Sequence, residues 1–94
     1  MTNTMEPHRF PVYRRLTNGR SCYRIESHTV FTEVQRVGSL YVAHRVVAHT
    51  WPERMRIADL LANADGSLLP MVPADFERWL ARAEAGGSKG RPRL

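Results

Sequence analysis

The chain has 94 residues, of which 43% are hydrophobic and 24% are charged, the balance of an ordinary globular domain. This length fits one small domain with a limited core, and the apolar content argues against intrinsic disorder. A single cysteine, Cys22, excludes an intramolecular disulfide and favours a reducing compartment, so we expect a cytoplasmic protein. The first ten residues lack the apolar run of a signal peptide, and no stretch is apolar enough to span a membrane.

The net charge of +5 favours a phosphate-bearing partner, but much of this charge lies near the C-terminus. Lys89, Arg91 and Arg93 all fall within residues 88–94, and without them eleven basic residues face nine acidic ones. The body of the chain is therefore only weakly basic. Thirteen of the 14 basic residues are arginine, which either phosphate recognition or the codon usage of a GC-rich, bacterial-like genome would produce.

Residues 1–87 are predicted to form a single α+β domain. Residues 1–9 are polar and contain Pro7, so they should form a loosely held N-terminal arm. Two glycines, Gly86 and Gly87, should end the folded part, and residues 88–94 should form a disordered basic tail.

The first predicted hairpin begins with a strand at residues 10–16 and turns at Asn18-Gly19, a pair typical of a type I′ turn whose central residues both have positive φ. This loop pairs Arg14 with Tyr23, and side chains then alternate between two faces. Because Arg14 falls among apolar neighbours, we expect its stem to lie on them and its head to reach water. The apolar face should carry Phe10, Val12, Leu16, Tyr23 and Ile25, and the basic face Tyr13, Arg15, Thr17, Arg20, Cys22 and Arg24.

A central hairpin is predicted between Val30 and His49, where two β-branched and aromatic runs are separated by Gly38-Ser39. This loop pairs Val37 with Leu40. Both faces of the hairpin are partly apolar, so the sequence does not decide which face is buried. Two arrangements stay open: helices cover both faces, or the sheet dimerises through an exposed patch.

A helix should begin after Thr50 and run to about Asn63, because Thr50 and Glu53 have the spacing of a capping box and Pro52 suits the first turn. Its apolar stripe includes Trp51 and Met55, with Ala58, Ile57, Leu60, Leu61 and Ala62. We expect Trp51, like Trp79 further on, to anchor its helix in the core and not to serve as a ligand platform.

Residues 67–72 are apolar but short and interrupted by Pro70, which predicts an extended connection or an edge segment. Pro73 should begin a second helix, since Phe76, Trp79, Leu80 and Ala83 recur at the spacing of a core-facing stripe. The predicted fold is therefore α+β: a four-stranded antiparallel β-meander followed by two α-helices packed on the sheet.

The basic face of the first hairpin is the candidate nucleic-acid surface. Its arginines would concentrate positive potential, and the tyrosine among them could stack on a base. No helix-turn-helix, RNP or zinc-finger pattern accompanies it, and a solvated face without a partner explains the same residues. The candidate nucleic-acid-binding residues are Tyr13, Arg15, Arg20 and Arg24.

Catalysis has one candidate pair, Glu33 opposite His44, because a carboxylate beside an imidazole is a common general base. The pair is also an ordinary cross-strand contact and has no predictable third member, so no enzyme activity is expected. The histidines lack metal-ligand spacing, since His44 and His49 are five apart on one strand and point to opposite faces. We predict no metal and no other cofactor.

The favoured function is a small non-enzymatic binding or assembly module that meets a protein partner or a second copy of itself. Its contact surface would be an open sheet edge or the second face of the central hairpin, with Arg36, Tyr41 and Arg45 as interface candidates. The alternative is a nucleic-acid-associated protein that uses the basic hairpin face and the C-terminal tail.

Overall fold

The computed structural model describes residues 9–87, which form a five-stranded antiparallel sheet and two α-helices, in agreement with the predicted α+β class. Residues 1–8 of the predicted arm and the tail predicted over 88–94 lie outside the described residues. In chain order the elements are β1 (Val12–Leu16), β2 (Ser21–Ile25), β3 (Val30–Val37), β4 (Leu40–Val47), α1 (Trp51–Ala62), β5 (Leu68–Pro70) and α2 (Pro73–Arg82), which a π-helical turn (Ala83–Gly87) continues.

The sheet has one strand more than the predicted four-stranded meander. Its order is β4-β3-β2-β1-β5, so the first four strands do form a meander and β5 pairs antiparallel with β1 at the far edge. Leu68 lies opposite Leu16 and Pro70 opposite Arg14. Three residues ending in proline give no periodic signal, but an edge strand tolerates proline, so tertiary contacts decide this element.

The predicted registers of both hairpins are confirmed. Arg14 lies opposite Tyr23, and Val37 lies opposite Leu40. The turn type of the first hairpin was predicted wrongly, because only Gly19 has a positive φ, of 75°. Asn18 acts through its side chain instead, with Oδ1 accepting a hydrogen bond of 2.8 Å from the Arg20 N–H.

Helices cover both faces of the sheet, which answers the question that periodicity left open. On one face, which we call the α1 face, Tyr23, Ile25 and Phe31 pack in one core cluster with Ile57 and Leu60 of α1. On the opposite face, which we call the α2 face, a second core cluster joins side chains of the sheet to side chains of α2 and the turn that follows it. All of its members are fully buried. That cluster consists of Cys22, Val34, Phe76 and Ala83.

The first helix starts as predicted but packs differently. Thr50 and Glu53 form the capping box, and Asn63 ends the helix in the left-handed conformation with φ 52°. Trp51 is not a core anchor: it is 72% exposed, and the buried residues of the helix begin only at Ile57. In the second helix the prediction was right for Phe76, which is fully buried.

Arg14 departs from the expectation that its head would reach water. Its Nη2 donates a hydrogen bond of 3.2 Å to the carbonyl oxygen of Leu61, one of the carbonyls that the end of α1 leaves without a helical partner. Its Nε is buried without a hydrogen-bond partner in the described structure. The positive charge therefore lies at the C-terminal end of the helix dipole, where it is favourable.

Candidate functional site

The four predicted nucleic-acid-binding residues lie on the α2 face, but they do not form one exposed patch. The Tyr13 ring packs edge-on against Phe76, with ring centroids 5.6 Å apart. The guanidinium of Arg24 lies over the same ring, 5.2 Å from its centroid. Arg15 and Arg20 are exposed. Helix α2 covers the middle of this face and divides the predicted group. Tyr13 and Arg24 contact Phe76 of the helix, whereas Arg15 and Arg20 stay exposed.

Arg24 belongs to an ion-pair network at one end of the α2 face, which we call the acidic end. Its Nη1 is 3.0 Å from an oxygen of Glu77 on α2, and its Nη2 is 3.1 Å from Oε2 of Glu26. Arg45 lies 3.6 Å from Oε1 of Glu26, and the Thr32 hydroxyl donates to Oε2 at 2.9 Å. Burial alone would raise the pKa of Glu26, but the bonds from Thr32 and Arg24 and the positive charges of both arginines outweigh it and lower that pKa.

At the opposite end of the same face, arginines alternate with aromatic rings. The guanidinium of Arg36 lies over Trp79, 5.8 Å from the ring centroid, and that of Arg82 lies over Tyr41 at 4.7 Å. The two rings meet edge to face, with centroids 5.3 Å apart. Arg20 adjoins this group because its carbonyl accepts a hydrogen bond of 2.8 Å from the Arg36 N–H. Arg15 lies opposite Cys22, on the same face and diagonally across the first hairpin from Arg20. We call this group the cationic end, and its members are Arg15, Arg20, Arg36, Tyr41, Trp79 and Arg82.

Charge on the α2 face is therefore segregated. The acidic partners Glu26 and Glu77 bind arginines at the acidic end, and Asp75 of α2 pairs with Arg78 one turn along the same helix. None of the four arginines of the cationic end forms a salt bridge with a residue in the range 9–87. Glu84, two residues after Arg82, forms no ion pair within that range either. The cationic end thus carries positive charge that the described part of the chain does not neutralise.

A shallow concavity of about 630 Å³ opens where the first hairpin turn meets the second. Its walls are mostly polar, and both arginines at its rim belong to the cationic end. Its lining residues are Leu16, Asn18, Arg20, Ser21, Gln35, Arg36, Val37 and Gly38.

The predicted protein-interface residues have three different settings. Tyr41 is half-buried against Trp79, Arg36 is exposed above that ring, and Arg45 pairs with Glu26. All three lie at or beside β4, which is an edge of the sheet within the described residues. Helix α1 leaves this corner of the α1 face open, since Val37 is 60% and Leu40 57% exposed.

Glu33 and His44 are cross-strand partners, as predicted, but no hydrogen bond joins their side chains among the described residues. The Glu33 carboxylate instead lies 3.9 Å from Nη2 of Arg56, beneath α1, while His44 is exposed. Burial first, and then the charge of Glu33, raise the pKa of Tyr23. The pair therefore lacks the contact through which a carboxylate orients an imidazole for proton transfer.

The described residues offer neither a cluster of metal ligands nor an accessible thiol. Within residues 9–87 no three side chains of His, Cys, Asp or Glu come close enough to hold a metal ion. Cys22 is fully buried beneath α2, and burial, followed by the charge of Glu33, raises its pKa to about 12. No helix in that range is long and apolar enough to cross a membrane.

The prediction that Trp79 anchors α2 is partly right, because the ring is half-buried and packs against the core cluster of the α2 face, but sequence reasoning missed its exposed part and Arg82. Trp79 was assigned to the core from the apolar stripe of α2, and the stripe does face the sheet. One signal was available: Arg82 follows Trp79 by three residues and therefore lies on the same side of the helix. What the sequence did not contain was the distance between α2 and the β3–β4 hairpin.

No family model, no curated protein and no solved structure matches this chain.

Proposed function

We propose that this protein is a small non-enzymatic assembly module that associates with a second copy of itself through the edge strand β4, whose α2 side the π-helical turn contacts. The observation that carries the proposal is an eight-residue edge strand whose first residue, Leu40, is an exposed leucine. Open strands of this length are common sites for adding a strand from another chain. Consistent with its single thiol, we propose that this association occurs in the cytoplasm.

The backbone direction of β4 supports this proposal. The loop of two residues makes Val37 and Leu40 a hydrogen-bonded pair, and bonding then alternates along the strand. The N–H of Ala48 donates to Thr29 at 2.7 Å, which fits the same alternation. The N–H and C=O groups of Tyr41, Ala43 and Arg45 therefore point away from β3, and they form no backbone hydrogen bonds with other described residues.

The side chains of β4 allow this strand to pair antiparallel with β4 of a second copy of the chain. A twofold axis at Ala43 brings Tyr41 opposite Arg45 of the partner subunit, an aromatic beside a cation. On the other face, the same axis brings Leu40 opposite Val46 of the partner subunit. No two like charges face each other in this register, and the cross-strand pairs are of kinds that stabilise sheets.

The experiment is light scattering during size exclusion of the whole chain over a range of concentrations. We expect a dimer, and we expect Leu40→Lys to raise its dissociation constant by about tenfold or more, because part of the roughly 1.5–3 kcal/mol from burying a leucine is lost at each end. Salt should have little effect, since the contact is apolar and backbone-based.

The matched control is Val37→Lys. Val37 lies opposite Leu40, is equally exposed and faces the same side, but it belongs to β3 and not to the edge strand. This variant should dimerise like the unaltered chain. A monomer at every concentration, or equal weakening by both lysines, would overturn the proposal. Because both positions are exposed, neither variant should unfold the monomer.

A further inference from the structure

We infer that the cationic end is a binding site for single-stranded nucleic acid. This inference concerns the α2 face, shares Tyr41 with the β4 strand, and does not depend on self-association. It keeps Arg15 and Arg20 from the sequence prediction, replaces Tyr13 and Arg24 with Tyr41 and Trp79, and adds Arg36 and Arg82.

Uncompensated charge is the first observation. Arg20 and Arg36 are adjacent in the sheet, joined by the 2.8 Å backbone bond, and both side chains point to the α2 face. Like charges in neighbouring strands repel and destabilise a sheet unless a counter-charge lies between them. The acidic end has carboxylates in this role, whereas the cationic end has none among the described residues. A chain of phosphates provides regularly spaced counter-charges of the required sign.

The second observation is that two of the arginines are positioned against rings. Arg36 over Trp79 and Arg82 over Tyr41 each have one side of the guanidinium supported by an aromatic ring and the other side exposed. An unstacked base can lie on a guanidinium plane or on an aromatic ring. Because the supporting rings limit the rotamers of both arginines, less side-chain entropy is lost when a base or phosphate binds.

Alternation of cation and ring also favours a single strand over the other polyanions. An acidic peptide offers carboxylates but no flat π-surfaces that could stack on the exposed sides of the two guanidiniums. Duplex DNA hides its base faces, and both described helices pack on the sheet and are not free to enter a groove. Single-stranded RNA or DNA matches both features of the cationic end.

The test is fluorescence anisotropy with labelled oligo(U) and oligo(dT), titrated with the full chain at several salt concentrations. We expect binding that weakens as salt rises. For each arginine removed, the slope of log affinity against log salt should become less steep by about 0.7. Comparing the two oligomers identifies whether RNA or DNA binds more tightly, and tight binding of either supports the site.

The matched pair of variants is Arg82→Gln and Arg78→Gln. Both arginines are exposed on α2 and both changes remove one positive charge, but Asp75 already neutralises Arg78, whereas Arg82 forms no salt bridge within residues 9–87. We expect Arg82→Gln to weaken binding several-fold and Arg78→Gln to leave it unchanged. Arg36→Lys separates stacking from charge: it keeps the charge and loses the planar guanidinium, so we expect weaker binding.

Trp79 gives a direct readout once the other tryptophan is replaced. In Trp51→Phe, which changes an exposed side chain, Trp79 is the remaining tryptophan, and we expect its fluorescence to change when the oligomer binds. Replacing Lys89, Arg91 and Arg93 with glutamine tests the tail, and the site is supported if the Arg82 effect persists in that background. Equal loss from Arg82→Gln and Arg78→Gln, silent Trp79 fluorescence, equally effective competition by polyglutamate, or no binding at low salt would each overturn the inference.

Discussion

Asn63 and Leu68 are joined by two hydrogen bonds between the side-chain amide of Asn63 and the backbone of Leu68. Nδ2 donates to the carbonyl oxygen at 2.9 Å, and Oδ1 accepts from the N–H at 3.0 Å. Asn63 is also the C-cap of α1, with its own N–H donating to the carbonyl of Asp59 at 2.9 Å. A single residue therefore ends the helix and fixes the start of β5.

Two substitutions at Asn63 should separate these roles. Asn63→Gly keeps the left-handed conformation and loses both side-chain bonds, so we expect a loss of about 1–3 kcal/mol in the free energy of unfolding. Asn63→Ala adds about 1 kcal/mol of left-handed strain and should be less stable still. Urea unfolding of both variants measures the difference. Equal stability of the glycine variant and the unaltered chain would contradict the importance of the link to Leu68.

Phe76 and Trp51 are large aromatic residues with opposite surroundings, which gives a sharp comparison. Phe76→Ala leaves a cavity above Cys22 and Val34 and should lower the free energy of unfolding by about 3–5 kcal/mol. Trp51→Ala removes a side chain that is 72% exposed, so we expect a change within about 0.5 kcal/mol. Denaturant melts of the two variants check this. A large loss from Trp51→Ala would mean that the first turn of α1 is packed after all.

Cys22 should react with a thiol reagent only when the domain opens. Its raised pKa of about 12 keeps the sulfur protonated at neutral pH, and α2 covers it. We expect Ellman's reagent to label the native protein slowly and the protein in urea at once. Rapid labelling in the native state would show that α2 does not stay on the sheet.

The same shift predicts how stability changes at high pH. The unfolded thiol loses its proton near 9.0, whereas the folded one retains it to about 12, so the folded state binds the proton more tightly. Its contribution to stability is therefore complete below pH 9 and falls as the pH rises towards 12. Cys22→Ala should lack this component, and identical alkaline profiles for both proteins would contradict the prediction.

Glu26 should make the acidic end sensitive to acid. Its pKa is lowered in the folded state, so its stabilising contribution is present above its ordinary value of 4.5 and is lost as the pH falls through the lower folded value. We expect Glu26→Gln to cost about 1–2 kcal/mol near neutral pH, because Arg24 loses a charged partner. That difference should shrink in acid, as measured by urea unfolding across pH. A constant difference at all pH values would exclude the ion pairs as its cause.

The local parts of this fold could be predicted from sequence because local chemistry specifies them. The register of the β3–β4 hairpin follows from Gly38-Ser39, and the start of α1 follows from Thr50 and Glu53. The second core stripe around Phe76 also follows from helical spacing alone.

The long-range parts could not be predicted in this way. Strand β5 exists because Leu68 meets Leu16, more than fifty residues away in sequence, and its own three residues carry no strand pattern. The exposure of Trp51 depends on how α1 lies across the sheet, which the spacing of its apolar residues does not determine. The candidate site was affected most, because only the position of α2 decides that Arg24 meets Glu77 while Arg36 meets Trp79.

The order of these elements has a consequence for synthesis on the ribosome. Cys22 and Val34 emerge early, but the side chains that cover them, Phe76 and Ala83, are translated about fifty residues later. Until then the nascent chain presents one bare apolar sheet face, the kind of surface that chaperones bind and that promotes aggregation.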